Sequence, residues 1–144
     1  MPHDGGMISR RLSLGIAVSA IVAVLAGCAP SAPTLAAHAD GYAVVNTPQS
    51  SAMDAMIAGR IAVDDAGCWG IRSDDVFRHV LWPAGTRLDG GGILAPGLEE
   101  SVGEGTPVTG GGGEMASDSD QAPCWEQGDI VFVLSPDGVE YGFA

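Results

Sequence analysis

The chain of 144 residues contains no lysine, and its six basic residues are all arginine. The absence of lysine excludes Schiff-base catalysis, a lysine general base and the lysine of a phosphate-binding loop. Aromatic residues make up only 6% of the chain, and 18 acidic residues give it a formal charge of −12. Because nucleic-acid binding requires clustered cations that neutralise phosphates, we expect no nucleic acid among its partners.

The sequence also lacks a hydrophobic run long enough to cross a membrane as a helix. Residues 12–26 are uncharged, and as a helix they would span roughly 22 Å, whereas the hydrocarbon core of a bilayer is about 30 Å thick. Arg10 and Arg11 precede this segment, and small residues follow it. A basic start, a short apolar stretch and small residues at a cleavage site are typical of a signal peptide.

The end of this segment, Leu25-Ala26-Gly27-Cys28, resembles the lipobox of bacterial lipoproteins. The resemblance covers residues 7–28, and it implies that residues 1–27 are removed as a signal peptide and that Cys28 becomes the lipidated amino terminus. Diacylglycerol and palmitate on Cys28 would hold the chain on the extracytoplasmic face of the cell membrane, which is then its partner through the lipid anchor. The alternatives are an ordinary secretory peptide and an anchor that stays in the membrane.

Two cysteines remain in the exported part of the chain, Cys68 and Cys124. An even number of cysteines in an oxidising compartment predicts a disulfide, and a bridge over a loop of this length stabilises a fold by about 4 kcal/mol in the chain-entropy model. Their spacing matches neither a redox motif nor a zinc site. The alternative is a pair of buried free thiols.

The periodicity of the sequence predicts a tether followed by a β domain. Residues 28–49 are predicted to be a flexible tether and residues 50–144 the folded domain, with a short helix near residues 50–56. Residues 57–63 alternate with a period of two, Asp64-Asp65-Ala66-Gly67 forms a turn, and residues 68–72 are predicted to be the hairpin partner.

Further strands are predicted nearer the carboxyl terminus. The β-branched and aromatic residues of 76–82 favour a third strand, and residues 102–108 an irregular one. The glycine-rich residues 110–123 are predicted to be a long mobile loop. Residues 130–134 and 139–143 flank a turn at Ser135-Pro136-Asp137-Gly138 and are predicted to form a closing hairpin.

Five to seven short strands predict a mainly β fold, a small OB-like barrel or sandwich. Small uncharacterised bacterial exported β-barrel domains are what residues 57–134 resemble. The resemblance is carried by the succession of strand 59–63, Cys68, the segment 81–86, Val102-Gly103 and the glycine run 110–113. This resemblance implies the fold and no particular activity.

Few residues are candidates for a functional site. Trp69, Trp82 and Trp125 could stack on sugar rings, although packing in the core is the favoured interpretation for so small a domain. His79 is the one plausible general base, and its place in an alternating strand favours a structural role. The acidic pairs are interpreted as solvated turns, and the loop acids lack the spacing of a calcium loop. The pairs are Asp64-Asp65, Asp74-Asp75 and Glu99-Glu100, and the loop acids are Glu114, Asp118 and Asp120.

Taken together, the sequence predicts a lipid-anchored extracytoplasmic protein that acts as a binding or scaffolding module at the cell surface. We expect no catalytic residues, no metal and no cofactor. One alternative is a carbohydrate-binding or cell-wall-binding module that uses Trp69, Trp82 or Trp125, and another is a hydrolase that uses His79. The sequence does not identify the protein or cell-wall partner.

Overall fold

The computed structural model of the protein describes residues 32–39, 41–48 and 53–142. These residues form ten β-strands and no helix. The strands are β1 (Thr34–His38), β2 (Gly41–Val45), β3 (Ala55–Val63), β4 (Trp69–Ser73), β5 (Val76–Trp82), β6 (Arg87–Leu88), β7 (Ile93–Leu94), β8 (Pro107–Ala116), β9 (Ile130–Leu134) and β10 (Glu140–Tyr141).

Five strands close into a barrel in the order β3, β4, β5, β9, β8 and back to β3. All neighbours are antiparallel except β5 and β9, which are parallel. A closed five-stranded sheet with this crossover is the architecture of an OB-like barrel. The predicted mainly β fold is therefore confirmed, as are the strand predicted at residues 76–82 and the alternation predicted for β3.

The barrel interior is an apolar core built from alternate residues of each wall strand. Ile57 and Ile61 of β3 face inward as the period of two requires, and they meet Ile71 of β4 and Phe132 of β9. Trp82 at the end of β5 has no exposed surface. Its indole Nε1 donates a hydrogen bond to the carbonyl oxygen of Trp69 at 3.1 Å, so the core satisfies this polar atom.

The segment between β5 and β8 completes this core. It contains the two-stranded ribbon β6–β7, in which Arg87 pairs with Leu94 and Leu88 with Ile93. Leu88, Ile93 and the following Ala95 are buried among the barrel's inner residues. The ribbon therefore completes the barrel core, because it supplies apolar side chains that the wall strands alone do not provide.

The predicted flexible tether is wrong for residues 34–38 and 41–45. These residues form β1 and β2, which pair with each other, and β2 continues the barrel wall by pairing in parallel with β5 through Val44 and Leu81. Ala43 and Val44 are almost completely buried. The small and apolar residues that suggested a tether are ordered because they alternate across the wall, Ala43 on the inner core and Val44 on the outer one.

The predicted mobile loop at residues 110–123 is also wrong in its first half. Gly110 to Gly113 lie in β8, the longest strand, which pairs with β3 on one edge and with β9 and β10 on the other. A Cβ on Gly112 would come within 1.9 Å of the carbonyl oxygen of Val133. Glycine is therefore required here because β8 and β9 approach too closely for a side chain.

Two further predictions near the ends of the domain are corrected. The short helix near residues 50–56 is absent from its described part, since β3 begins at Ala55; residues 50–52 lie outside the described residues. The closing hairpin is not formed, because β9 and β10 both pair with β8 rather than with each other. The amide of Ser135 donates a hydrogen bond to the carbonyl of Gly111, so the residue after β9 still pairs with β8. After the intervening turn, β10 pairs with the same edge of β8.

Candidate functional site

The proposed lipidation residue, Cys28, and the lipobox before it lie outside the described residues. Within the described part of the chain, no helix has the length and apolar character needed to cross a bilayer.

Cys68 and Cys124 form a disulfide, with their Cα atoms 5.6 Å apart. Cys68 follows the turn between β3 and β4, where the Asp64 carboxylate accepts hydrogen bonds from the amides of Ala66 and Cys68. Cys124 lies in the connection between β8 and β9, residues 117–129. The predicted pairing is confirmed, and the bridge attaches this connection to the barrel.

The connection covers a second apolar cluster on the outer side of the barrel wall. Trp125 packs with the disulfide against Leu81 of β5 and with Val131 and Val133 of β9. The side-chain amide of Gln121 donates to the carbonyl of Pro33 and so joins the connection to the segment before β1. The outer surface of β9 and of β5 around Leu81 is therefore occupied by the protein's own chain.

The three tryptophans are core residues. Trp69 and Trp82 belong to the inner core and Trp125 to the outer cluster, and none has more than 6% of its surface exposed. Their burial agrees with the favoured interpretation of core packing and leaves almost none of each indole accessible to a sugar in solution. The indole Nε1 of Trp125 is buried without a hydrogen-bond partner among the described residues.

His79 lies half-buried between two aromatic rings. Its ring centroid is 5.2 Å from that of Phe77 and 5.9 Å from that of Trp125, both in edge-to-face arrangements. It forms no hydrogen bond with an acid or a hydroxyl of the described residues. A general base requires such a partner to orient it, so the described geometry offers no support for a hydrolase centred on His79.

The acidic residues singled out from the sequence are dispersed. Asp64 shapes a turn, Glu114 forms an ion pair with Arg78, and the Asp120 carboxylate accepts the amide of Gln127. Glu99 and Glu100 are exposed in a bend. Across residues 32–39, 41–48 and 53–142, no three His, Cys, Asp or Glu side chains are grouped so that they could hold a metal ion.

Two arginines that the sequence analysis did not single out lie side by side on the outer wall. Arg60 of β3 and Arg72 of β4 are directly opposite in the antiparallel register, and both side chains are exposed. Phe77 of β5 is directly opposite Arg72 on the other side. We call the outer surface of β3, β4 and β5 that carries Arg60, Arg72 and Phe77 the arginine face.

The arginine face contains an open depression of about 510 Å³. Nη1 of Arg60 donates to the carbonyl of Gly105 at 2.9 Å, and Nη1 of Arg72 contacts the carbonyl of Asp75 at 3.4 Å. Neither guanidinium forms an ion pair with a carboxylate of the described residues. The depression is lined by Ala58, Gly59, Arg60, Arg72, Asp74, Asp75, Pro107 and Thr109.

The tight turn between β4 and β5 forms one rim of the depression. Asp74 and Asp75 have φ angles of 48° and 65°, in the left-handed region that non-glycine residues rarely adopt. Positive φ at both central positions is the conformation of a type I′ hairpin turn, in which Asp is tolerated. The two carboxylates are thereby held beside the arginine pair, although they form no ion pair with it.

The aromatic ring of Phe77 lies over β4 because the residue beneath it is glycine. A Cβ on Gly70 would come within 2.6 Å of Cζ of Phe77. The ring therefore covers the backbone at Gly70 while remaining half exposed. Arg72 is the next residue of β4 that points outward, and its guanidinium extends towards Asp75 in the turn, so the ring and the guanidinium belong to the same outer surface of the barrel.

The position of Arg60 opposite Arg72 could have been predicted from the sequence. The β3–β4 hairpin and its turn at residues 64–67 follow from the alternation pattern, and the turn sets the register that places Arg60 opposite Arg72. The positions of Pro107 and Thr109 could not be predicted in this way, because the glycine-rich β8 carries no side-chain periodicity.

No protein-family model, no curated protein and no solved structure matches the chain. Function is therefore argued from the residues and their geometry.

Proposed function

We propose that the chain is an exported, lipid-anchored binding module without catalytic activity, and that the arginine face is its ligand-binding surface. The observation that carries the proposal is that one part of the outer barrel wall is covered by the protein's own chain while another part is open. The outer surface of β9 and of β5 around Leu81 is buried beneath the disulfide-linked connection, whereas the neighbouring surface of β3 and β4 stays open and holds the depression. In OB-like barrels the outer surface of the second and third wall strands binds ligands. Here these strands are β4 and β5, and the arginine face includes Arg72 of the one and Phe77 of the other.

Export is supported by two independent features of the chain. The lipobox-like Leu25-Ala26-Gly27-Cys28 follows an apolar segment with a basic start. The disulfide between Cys68 and Cys124 is a bond that persists in oxidising compartments and is rare in the cytosol. A lipid on Cys28 would keep the barrel at the membrane surface without a transmembrane helix.

Absence of catalysis is supported by the chemistry of the open surface. The lining of the depression contains guanidinium, carboxylate and hydroxyl groups, and none of these is arranged as a nucleophile hydrogen-bonded to a base. Binding requires only that such groups be complementary to a ligand. A binding module is therefore favoured over a hydrolase.

The anchor is tested by intact mass spectrometry of membrane-extracted protein without reduction, after expression in a bacterium that processes lipoproteins. We expect a chain that begins at Cys28, is heavier by the mass of its acyl groups and is lighter by two hydrogens for the disulfide. Cys28→Ala should abolish the lipid mass and leave an unprocessed precursor. Secretion of an unmodified soluble chain, unchanged by Cys28→Ala, would contradict the anchor.

A further inference from the structure

We propose that the arginine face binds a saccharide that carries a carboxylate, and that Arg60 and Arg72 together hold this carboxylate. The inference rests on the proposed function, since it assigns a ligand class to the same surface. It depends on three observations. Neither arginine forms an ion pair with the described residues, two aspartates line the same depression, and the ring of Phe77 is half exposed.

The arginine pair has an unusual place in so acidic a protein. Like charges directly opposite on neighbouring strands destabilise a sheet, and this chain has 18 acidic residues available as partners. Arg78 is paired with Glu114, and Arg87 lies 4.0 Å from Asp89. Among the described residues, Arg60 and Arg72 instead donate to backbone carbonyls, and neither forms an ion pair. A carboxylate from a ligand would form the direct ion pair that Asp74 and Asp75, in the same depression, do not form.

Guanidinium groups suit this task because each presents paired donors in a plane that matches a carboxylate. Only one nitrogen of each arginine is engaged with a carbonyl oxygen, so other N–H groups of both side chains remain available. Two guanidiniums facing one depression can therefore share one carboxylate, and each would add charge-assisted hydrogen bonds.

The two aspartates restrict the charge of the ligand. Asp74 and Asp75 line the same depression as the arginines, so a phosphate with two charges or a polyanion would meet carboxylates next to the guanidiniums. The formal charge of −12 acts against polyanions in the same way. A ligand with one negative charge and several hydroxyl groups avoids this repulsion, because aspartate oxygens accept hydrogen bonds from hydroxyls.

The shape and remaining lining of the surface favour a saccharide over a smaller acid. A volume of about 510 Å³ is within the range of small-molecule sites, and the depression is open, as the binding of one end or one unit of a longer chain requires. Thr109 adds a hydroxyl to the lining. Phe77 lies outside the lining of the depression, and its half-exposed ring on the same outer surface offers an apolar contact for the C–H face of a further sugar unit.

The experiment uses the full lipidated chain in nanodiscs of phosphatidylcholine, which has no net charge. The probe is a tetrasaccharide that contains one glucuronic acid, and its binding is measured by calorimetry and by chemical-shift changes of backbone amides and arginine Nε–H groups. The comparison probes are the same tetrasaccharide with its carboxyl group reduced to an alcohol, and inorganic phosphate.

We expect the acidic tetrasaccharide to bind with shifts centred on β3 and β4, and the reduced one to bind at least tenfold more weakly. Arg60→Gln and Arg72→Gln should each raise the Kd for the acidic probe by roughly tenfold or more, as the loss of a charged hydrogen bond implies. Arg87→Gln is the matched control, because Arg87 is an exposed arginine elsewhere on the barrel, and it should leave the Kd unchanged.

A stability measurement separates this role from a structural one. Because Arg60→Gln removes a like-charge neighbour of Arg72, the variant should be as stable as the parent chain or slightly more stable while it binds the probe more weakly. A variant that loses both stability and binding would indicate a structural role and overturn the inference.

The remaining outcomes distinguish the inference from the proposed function. Equal binding of the acidic and the reduced tetrasaccharide at the arginine face would overturn the role of the carboxylate and leave a binding module in place. Preference for phosphate would overturn the saccharide. Absence of binding by every probe would overturn the inference, and the mass of the membrane-extracted chain would then decide on the anchor alone.

Discussion

At the scale of single residues, Tyr141 is a buried polar group without a partner. Its hydroxyl has no hydrogen-bond partner in the described part of the chain, and burial raises its pKa from 10.0 to about 12. Between these two values the folded chain keeps a proton that the unfolded chain has lost. The free energy of unfolding should therefore fall as the pH rises from about 10 to about 12, and this contribution is fully present below pH 10.

Tyr141→Phe should remove that dependence on pH. The phenylalanine keeps the ring, which packs against the inner core, and it eliminates the unsatisfied hydroxyl. At pH 8 the variant should be as stable as the parent chain or more stable by about 1 kcal/mol. Urea denaturation of both proteins at pH 8, 10, 11 and 12 measures the effect, and an equally steep loss of stability in the variant would contradict it.

At the scale of elements, the sequence predicted those strands whose side chains alternate. Ile57 and Ile61 mark the inner side of β3, and the β-branched and aromatic residues of 76–82 coincide with β5. The β3–β4 hairpin followed from these residues and from the turn chemistry at residues 64–67. Periodicity and turns are local properties of the chain, so they are readable before the fold is known.

Elements that depend on distant partners were not predictable in this way. The run Gly110 to Gly113 has no side chains to alternate, and it is a strand because β3 and β9 pair with its two edges. Residues 135–138 have the composition of a hairpin turn between β9 and β10. β10 nevertheless pairs with β8, and Val139, just before β10, packs at Gly110 of β8. The arginine face depends on the same long-range pairing, since Thr109 reaches it from β8.

The glycines of β8 allow a test of this assignment within one element. Gly112→Ala should prevent close pairing with β9, because the new Cβ would lie 1.9 Å from the carbonyl oxygen of Val133. We expect a loss of several kcal/mol in the free energy of unfolding, in the range of severe steric changes in a core. Denaturation followed by circular dichroism measures it.

Gly111→Ala is the matched control for that substitution. The nearest atom to a Cβ on Gly111 is the carbonyl oxygen of Ala55 at 3.9 Å, which is ordinary contact. This variant should therefore stay within about 1 kcal/mol of the parent chain. Small effects of both substitutions would mean that residues 110–113 are a loop after all.

At the scale of the whole molecule, the barrel has two apolar clusters on opposite sides of one wall. The inner core fills the barrel, and the outer cluster is covered by residues 117–129. Those residues contain few apolar side chains other than Trp125, so they gain little from burial on their own. The disulfide compensates because it holds Trp125 and Cys124 against Leu81 and Val133.

Removal of the bridge should therefore affect the outer cluster first. The double variant Cys68→Ser, Cys124→Ser should lower the free energy of unfolding by about 2 to 5 kcal/mol, the usual cost of losing a native disulfide in a small exported domain. Trp125 should become more accessible, which red-shifts tryptophan fluorescence, whereas Trp82 in the inner core stays buried.

Ligand binding at the arginine face is the second measurement on the double variant Cys68→Ser, Cys124→Ser. Arg60 and Arg72 are held by the β3–β4 register, and their hydrogen bonds go to Gly105 and Asp75 rather than to residues 117–129. The folded double variant should therefore keep the affinity of the parent chain for the acidic tetrasaccharide below its lowered Tm. Loss of that affinity with the fold intact would show that the disulfide sets the geometry of the arginine face. The effect would pass through Cys68, which directly follows the turn of the β3–β4 hairpin. Retained affinity, together with exposed Trp125, would separate the two surfaces of the wall: one stabilised by the bridge, the other open to ligand.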